Sequence, residues 1–85
     1  MQVHTYARNA SLCERAKRVV PGGVYGHQSA AQLPEGFPQF FARGQGSRVW
    51  DVDGNEYIDF MCAFGPIVLG HRHEAVERAV TEQQQ

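Results

Sequence analysis

What the chain lacks narrows its class before any motif is considered. No apolar run approaches the ~20 residues of a membrane-spanning helix. The opening stretch MQVHTYARNA has no apolar h-region, so no secretory signal is expected there. Basic and acidic residues are mixed: eight Lys and Arg stand against nine Asp and Glu, for a net charge of −1. A nucleic-acid surface, which needs a concentrated basic face, is therefore not expected. The two cysteines, Cys13 and Cys62, lie far apart and form no CxxC, which fits reduced thiols in a cytoplasmic protein. There is no GxxxxGK phosphate loop and no GxSxG nucleophile elbow. GQGSRV lacks a third glycine and lies between strand signals. PGGVYG follows a helix, where a phosphate fingerprint would precede one. There is no internal repeat.

What is present suits one small unit. Eighty-five residues bury only roughly 60–65% of the surface they expose when unfolded, which is marginal for independent stability. Ser11 followed by Glu14 has capping-box spacing and predicts a helix over about residues 11–20. Leu12, Ala16, Val19 and Val20 would form its apolar face, and Pro21-Gly22-Gly23 ends it. Residues 21–38 show no periodicity and predict a loop. Residues 39–60 alternate with period two and predict an antiparallel meander. Residues 61–72 are an apolar run broken by Gly65-Pro66, which predicts a turn. Residues 73–85 predict a second helix, with Val76, Ala79 and Val80 in a stripe and Glu74 and Glu77 in its first turn. The expected fold is thus an α+β fragment. The long loop and the uncapped second helix predict a piece of a larger protein.

The stretch DVDGNEYIDF, residues 51–60, carries the densest acid. A calcium loop fails on spacing: aligning Gly54 with the loop glycine puts Val49 and Phe60 at two required ligand positions. A catalytic carboxylate pair is less expected than turn and strand-face acids, with Asp53 bonding its own backbone. A hairpin turning at Asp53-Gly54-Asn55 would place Trp50, Val52, Ile58 and Phe60 on one face, and a bulge at Gly54 would shift that by one residue. His71 and His73 would share a face on a strand, with His27 the one distant third ligand. A loop entering a helix is the plainer reading, and no metal site is expected.

Taken in order, SLCERAKRVVPGGV, FPQFFARGQGSRVWDVDGNEYIDF and FGPIVLGHRHEAVERAV resemble the N-terminal region of class III, fold-type I aminotransferases, most closely the glutamate-1-semialdehyde aminomutase group. The resemblance covers most of residues 11–80. It implies a larger α/β enzyme using pyridoxal 5′-phosphate (PLP), dimeric when intact, acting on small amino donors and acceptors. The Schiff-base lysine of that family has no counterpart here, since the single lysine, Lys17, lies on the first helix. No catalytic or cofactor-binding residue is therefore expected within this chain. The resemblance makes the loop after Pro-Gly-Gly-Val part of the substrate pocket, with Tyr25, Gly26, His27, Gln28 and Ser29 as substrate-binding candidates. Gly26 replaces the serine of aminomutases, and Ser29 stands where they carry a carboxylate-binding arginine. A hydroxyl cannot replace that bidentate contact, which favours a related aminotransferase over a true aminomutase. Phe64 replaces a pocket tryptophan, keeping an aromatic wall without the indole donor. The alternative is a non-catalytic module that docks on a full-length aminotransferase.

Overall fold

The structure, a computed structural model, describes residues 5–23 and 33–85. Helix α1 spans Ala7–Val19. Strands β1 (Phe41–Gln45), β2 (Arg48–Asp51) and β3 (Glu56–Ile58) form one antiparallel sheet in the order β1-β2-β3. Helix α2 spans Glu74–Gln83. Two helices flanking a three-strand antiparallel meander is the architecture expected from sequence. None of the described helices is long and apolar enough to cross a membrane.

Helix α1 begins four residues before the Ser11 pattern, and Ser11 lies inside it. The cap comes from elsewhere in the chain. Its Ncap, Tyr6, makes no side-chain cap bond. Instead the Asp53 carboxylate accepts the Arg8 N–H at 2.8 Å and the Asn9 N–H at 2.9 Å. A carboxylate there satisfies two orphan donors and meets the positive end of the helix dipole. So Asp53 does not brace its own turn, as expected from sequence, but holds a helix 44 residues away. Asp53→Ala should lower stability by about 1–2 kcal/mol, read as a shifted denaturant midpoint and faster exchange of the Arg8 and Asn9 amides.

The buried side of α1 is Asn9 and Ala16, with Leu12 and Cys13 half-buried, whereas Val19 is 77% exposed. An asparagine occupies this face because the neighbouring segment arrives with unpaired backbone. Asn9 Oδ1 accepts the Gln39 and Phe40 N–H groups at 2.9 and 3.2 Å, and Nδ2 donates to the Phe37 carbonyl at 3.5 Å. Burial raises the Cys13 thiol pKa despite the nearby Lys17 charge.

The sheet corrects the expected faces. Trp50 and Ile58 do share a face, since Trp50 pairs with Glu56 and Arg48 with Ile58. That face is polar: the Arg43 guanidinium lies 3.7 Å from the Trp50 ring centre, and Arg48 pairs with Glu56 at 3.5 Å. Val52 lies in the turn and Phe60 beyond β3, where it is 89% exposed. The other face carries Val49, Asp51 and Tyr57, with Phe41 edge-on to Tyr57 at 6.2 Å. The turn between β1 and β2 is only Gly46-Ser47, and a register shift falls between Phe41 and Arg43.

The aspartates of the 51–60 stretch are buried or half-buried, whereas Glu56 is exposed. Asp51 is 2% exposed. Its Oδ1 accepts the Asp53 and Asn55 N–H groups at 3.0 and 2.8 Å, and its Oδ2 accepts Asn55 Nδ2 and the Tyr57 hydroxyl at 2.9 and 3.0 Å. Asn55 Nδ2 also donates to the Thr5 carbonyl at 2.7 Å, tying the turn to the start of α1. Among the described residues Ala16 is the one buried hydrophobic side chain, so polar bonds rather than an apolar core hold this piece together.

Candidate functional site

Of the six residues proposed from sequence as substrate contacts, Tyr25, Gly26, His27, Gln28 and Ser29 lie outside the described residues. Phe64 is described. It closes the short turn Cys62–Phe64, and its side is open, with 66% of its surface exposed.

The backbone of that turn is unusual. Cys62, Ala63 and Phe64 have φ of 52, 52 and 65°, all in the left-handed region, and none is glycine. Each such residue costs on the order of 1 kcal/mol or more, because Cβ crowds the carbonyl oxygen. The turn closes through Phe64 N–H to the Met61 carbonyl at 3.0 Å and Gly65 N–H to the Cys62 carbonyl at 2.9 Å. Gly65 follows at φ 109°, a conformation that only glycine takes readily.

Both ends of this segment attach to one carboxylate. Asp59 Oδ1 accepts the Met61 and Cys62 N–H groups at 2.9 and 3.1 Å. Asp59 Oδ2 stands 2.7 Å from His71 Nε2, and both side chains are largely buried, at 16% and 21% exposed. The His71 bond, the Cys62 and Met61 N–H groups and the nearby imidazole hold the Asp59 carboxyl below its usual range, against a smaller opposing effect of burial.

His71 is fixed by backbone as well as side chain. Its N–H donates to the Gly46 carbonyl at 2.8 Å, and its carbonyl accepts the Gly46 N–H at 2.9 Å. Strand β1 makes room for the imidazole: a Cβ on Gly44 would stand 2.8 Å from His71 Cγ. GQGS looks like a plain turn in sequence, yet its first glycine serves side-chain packing in a strand. Arg72, at φ 56°, breaks the backbone between His71 and His73, and His73 becomes the Ncap of α2. The strand geometry that would put the two histidines on one face is therefore not formed. No group of three or more His, Cys, Asp or Glu residues suited to a metal assembles among the described residues.

Two clefts meet at Gly46 and His71. One, of about 300 Å³, lies over Asp59, Cys62 and Ile67. The other, of about 490 Å³, lies between Leu69 and the first turns of α2, beside Arg72 and Arg78. Phe64 lines neither of them. The importance of Asp59 and His71 was missed from sequence, because their pairing depends on a chain reversal that spacing does not reveal.

The chain is similar to known proteins along most of its length. Residues 30–85 match the family model described as aminotransferase class-III. An aminopentol aminotransferase from Sphingopyxis macrogoltabida is 54% identical over 76 residues, covering 89% of this chain and 18% of the relative. A glutamate-1-semialdehyde 2,1-aminomutase from Desulforamulus reducens is 47% identical over 78 residues, covering 92% of this chain and 18% of the relative. Among solved structures, the FumI protein of Sphingopyxis sp. MTA144, in a PLP form, superposes with a TM-score of 0.82 at 52% identity, covering 92% of this chain and 19% of that one. The chain thus spans about a fifth of the length of these relatives.

Proposed function

Because this chain belongs to the class-III aminotransferase family, we propose that it is the N-terminal part of a PLP-dependent enzyme that transfers an amino group between small molecules. The observation that carries this reading is the likeness of sequence and fold along nearly the whole chain to a PLP-form structure. Within that enzyme, residues 21–38 supply a loop of the substrate pocket through Tyr25, Gly26, His27, Gln28 and Ser29, and Phe64 supplies an aromatic wall. Transamination is favoured over aminomutation, because Ser29 has no guanidinium for a substrate carboxylate. The intact enzyme is a homodimer and cytoplasmic.

The residues of this chain do not suit the cofactor. PLP chemistry needs a lysine amine at the cofactor ring, and the single lysine here is Lys17, exposed on α1 and paired with Glu14 at 3.0 Å. The cofactor and its lysine are therefore assigned to the remainder of the enzyme, and this segment to substrate recognition. The docking-module alternative requires a self-sufficient fold. With Ala16 the one buried hydrophobic among the described residues, that alternative is the weaker.

Borohydride reduction of the full-length, PLP-loaded protein, followed by digestion and mass mapping, tests the assignment. The pyridoxyl label should fall on a lysine outside residues 1–85, and Lys17→Ala should leave bound PLP unchanged. A label on Lys17, or no PLP retained by the full-length protein, would overturn it.

A further inference from the structure

The left-handed turn at Cys62–Phe64 has no glycine to relieve it, and its own closing bonds are of ordinary length. A conformation of this kind persists only where its surroundings enforce it. Three things do so here. With one oxygen the Asp59 carboxylate grips the N–H groups of Met61, just before the turn, and of Cys62, its first residue. Its other oxygen is held by His71, twelve residues on, at 2.7 Å. His71 is in turn anchored to the β1–β2 turn through both backbone bonds to Gly46, with its ring seated over Gly44. One carboxylate thereby ties the strained turn to the sheet.

We propose that Asp59 and His71 are positioning residues that hold the Cys62–Phe64 turn in its left-handed form and so set where the Phe64 ring meets the amino substrate. The proposal rests on the reading of Phe64 as a wall of the substrate pocket. Neither Asp59 nor His71 touches the substrate in this account. They act through the backbone that carries Phe64.

The test uses the full-length, PLP-loaded protein with Asp59→Asn, His71→Ala and Gly44→Ala. The last displaces the imidazole while leaving both clasp groups chemically intact. His71→Gln, which keeps an N–H donor, is the rescue variant. Two readouts are taken. Iodoacetamide labelling of Cys62, resolved by mass mapping, reports opening of the turn. The half-reaction with L-alanine, β-alanine and 1-phenylethylamine, followed by loss of the bound-PLP absorbance, selects the fastest amine, whose KM and kcat are then measured with a 2-oxo acid as amino acceptor.

Labelling of Cys62 should accelerate about tenfold in the three disrupting variants, since local opening becomes easier. KM for the amine should rise more than kcat falls, bound PLP should stay constant, and His71→Gln should recover most of both effects. Unchanged Cys62 labelling in all three variants would overturn the clasp. Faster labelling with KM unmoved, where Phe64→Ala does raise KM, would overturn the link from clasp to pocket. Faster labelling with KM unmoved in Phe64→Ala as well would instead sink the reading of Phe64, and the positioning role with it.

Discussion

Asp51→Ala should lower stability by about 3–5 kcal/mol, the cost expected when one side of a buried charged hydrogen-bond network is removed. The carboxylate is 2% exposed and accepts four hydrogen bonds. Its removal takes away the acceptor of the Asp53 and Asn55 N–H groups and of the Asn55 side-chain amide, and one bond of the Tyr57 hydroxyl. The hairpin turn and the cap of α1 should loosen together, because Asp53 and Asn55 reach α1 and Thr5 from the turn that Asp51 braces. Asp51→Asn should be milder, since one oxygen still accepts and the Tyr57 hydroxyl can rotate to meet the amide. Denaturant unfolding of the full-length protein, with amide exchange at Asp53 and Asn55, gives the measurement. A loss below about 1 kcal/mol would show that the network contributes no more than an exposed turn.

The same network sets an acid limit. Burial alone would raise the Asp51 carboxyl pKa, but the Asn55 side chain and backbone, the Tyr57 hydroxyl and the Asp53 N–H together hold it below the usual range. Asp59 is depressed as well, led by its bond to His71. Tyr57 shifts the opposite way, through burial and then its bond to Asp51. A carboxyl depressed on folding binds fewer protons folded than unfolded. Its contribution is therefore complete above the unfolded value of about 3.9 and is lost as pH falls through the folded one. Amide protection in residues 51–62 should accordingly hold through the neutral range and collapse only in acid below that value. In Asp51→Asn the part of this acid limb due to Asp51 should vanish.

Phe64→Ala in the full-length protein should lower kcat/KM for the amino substrate by about 10- to 100-fold, the loss expected when a large aromatic contact is deleted. The PLP absorbance band should persist, because Phe64 is assigned to the substrate side. The ring is 66% exposed on its turn and so is free to contact a substrate or another part of the enzyme. Equal loss of activity and of the PLP band would place Phe64 against the cofactor instead. Phe64→Trp, which restores the larger ring and an indole donor, should retain most of the activity.

Local pattern was enough to find the elements. Period-two alternation pointed to the antiparallel meander and helical spacing to a helix on either side of it. It misplaced the start of α1, because Ser11 and Glu14 have capping spacing while the actual cap arrives from Asp53 across the fold. It also put Trp50, Val52, Ile58 and Phe60 toward a core. Alternation tells which residues share a face, but not which face meets another element. Here Arg43 covers Trp50, and the opposite face turns Asp51 and Tyr57 toward the start of α1.

The sequence by itself determined the order of elements and, through motifs strung along most of the chain, the family. Both depend on short-range pattern, which survives without coordinates. Only the tertiary structure decided what the three aspartates of Asp51-x-Asp53-Gly54-x-x-Tyr57-x-Asp59 do. One braces its own turn, one caps a distant helix, and one ties a left-handed turn to His71. A carboxylate's role depends on which donors folding brings within about 3 Å of it. Those donors come from residues 2 to 45 positions away, so spacing alone could not name them.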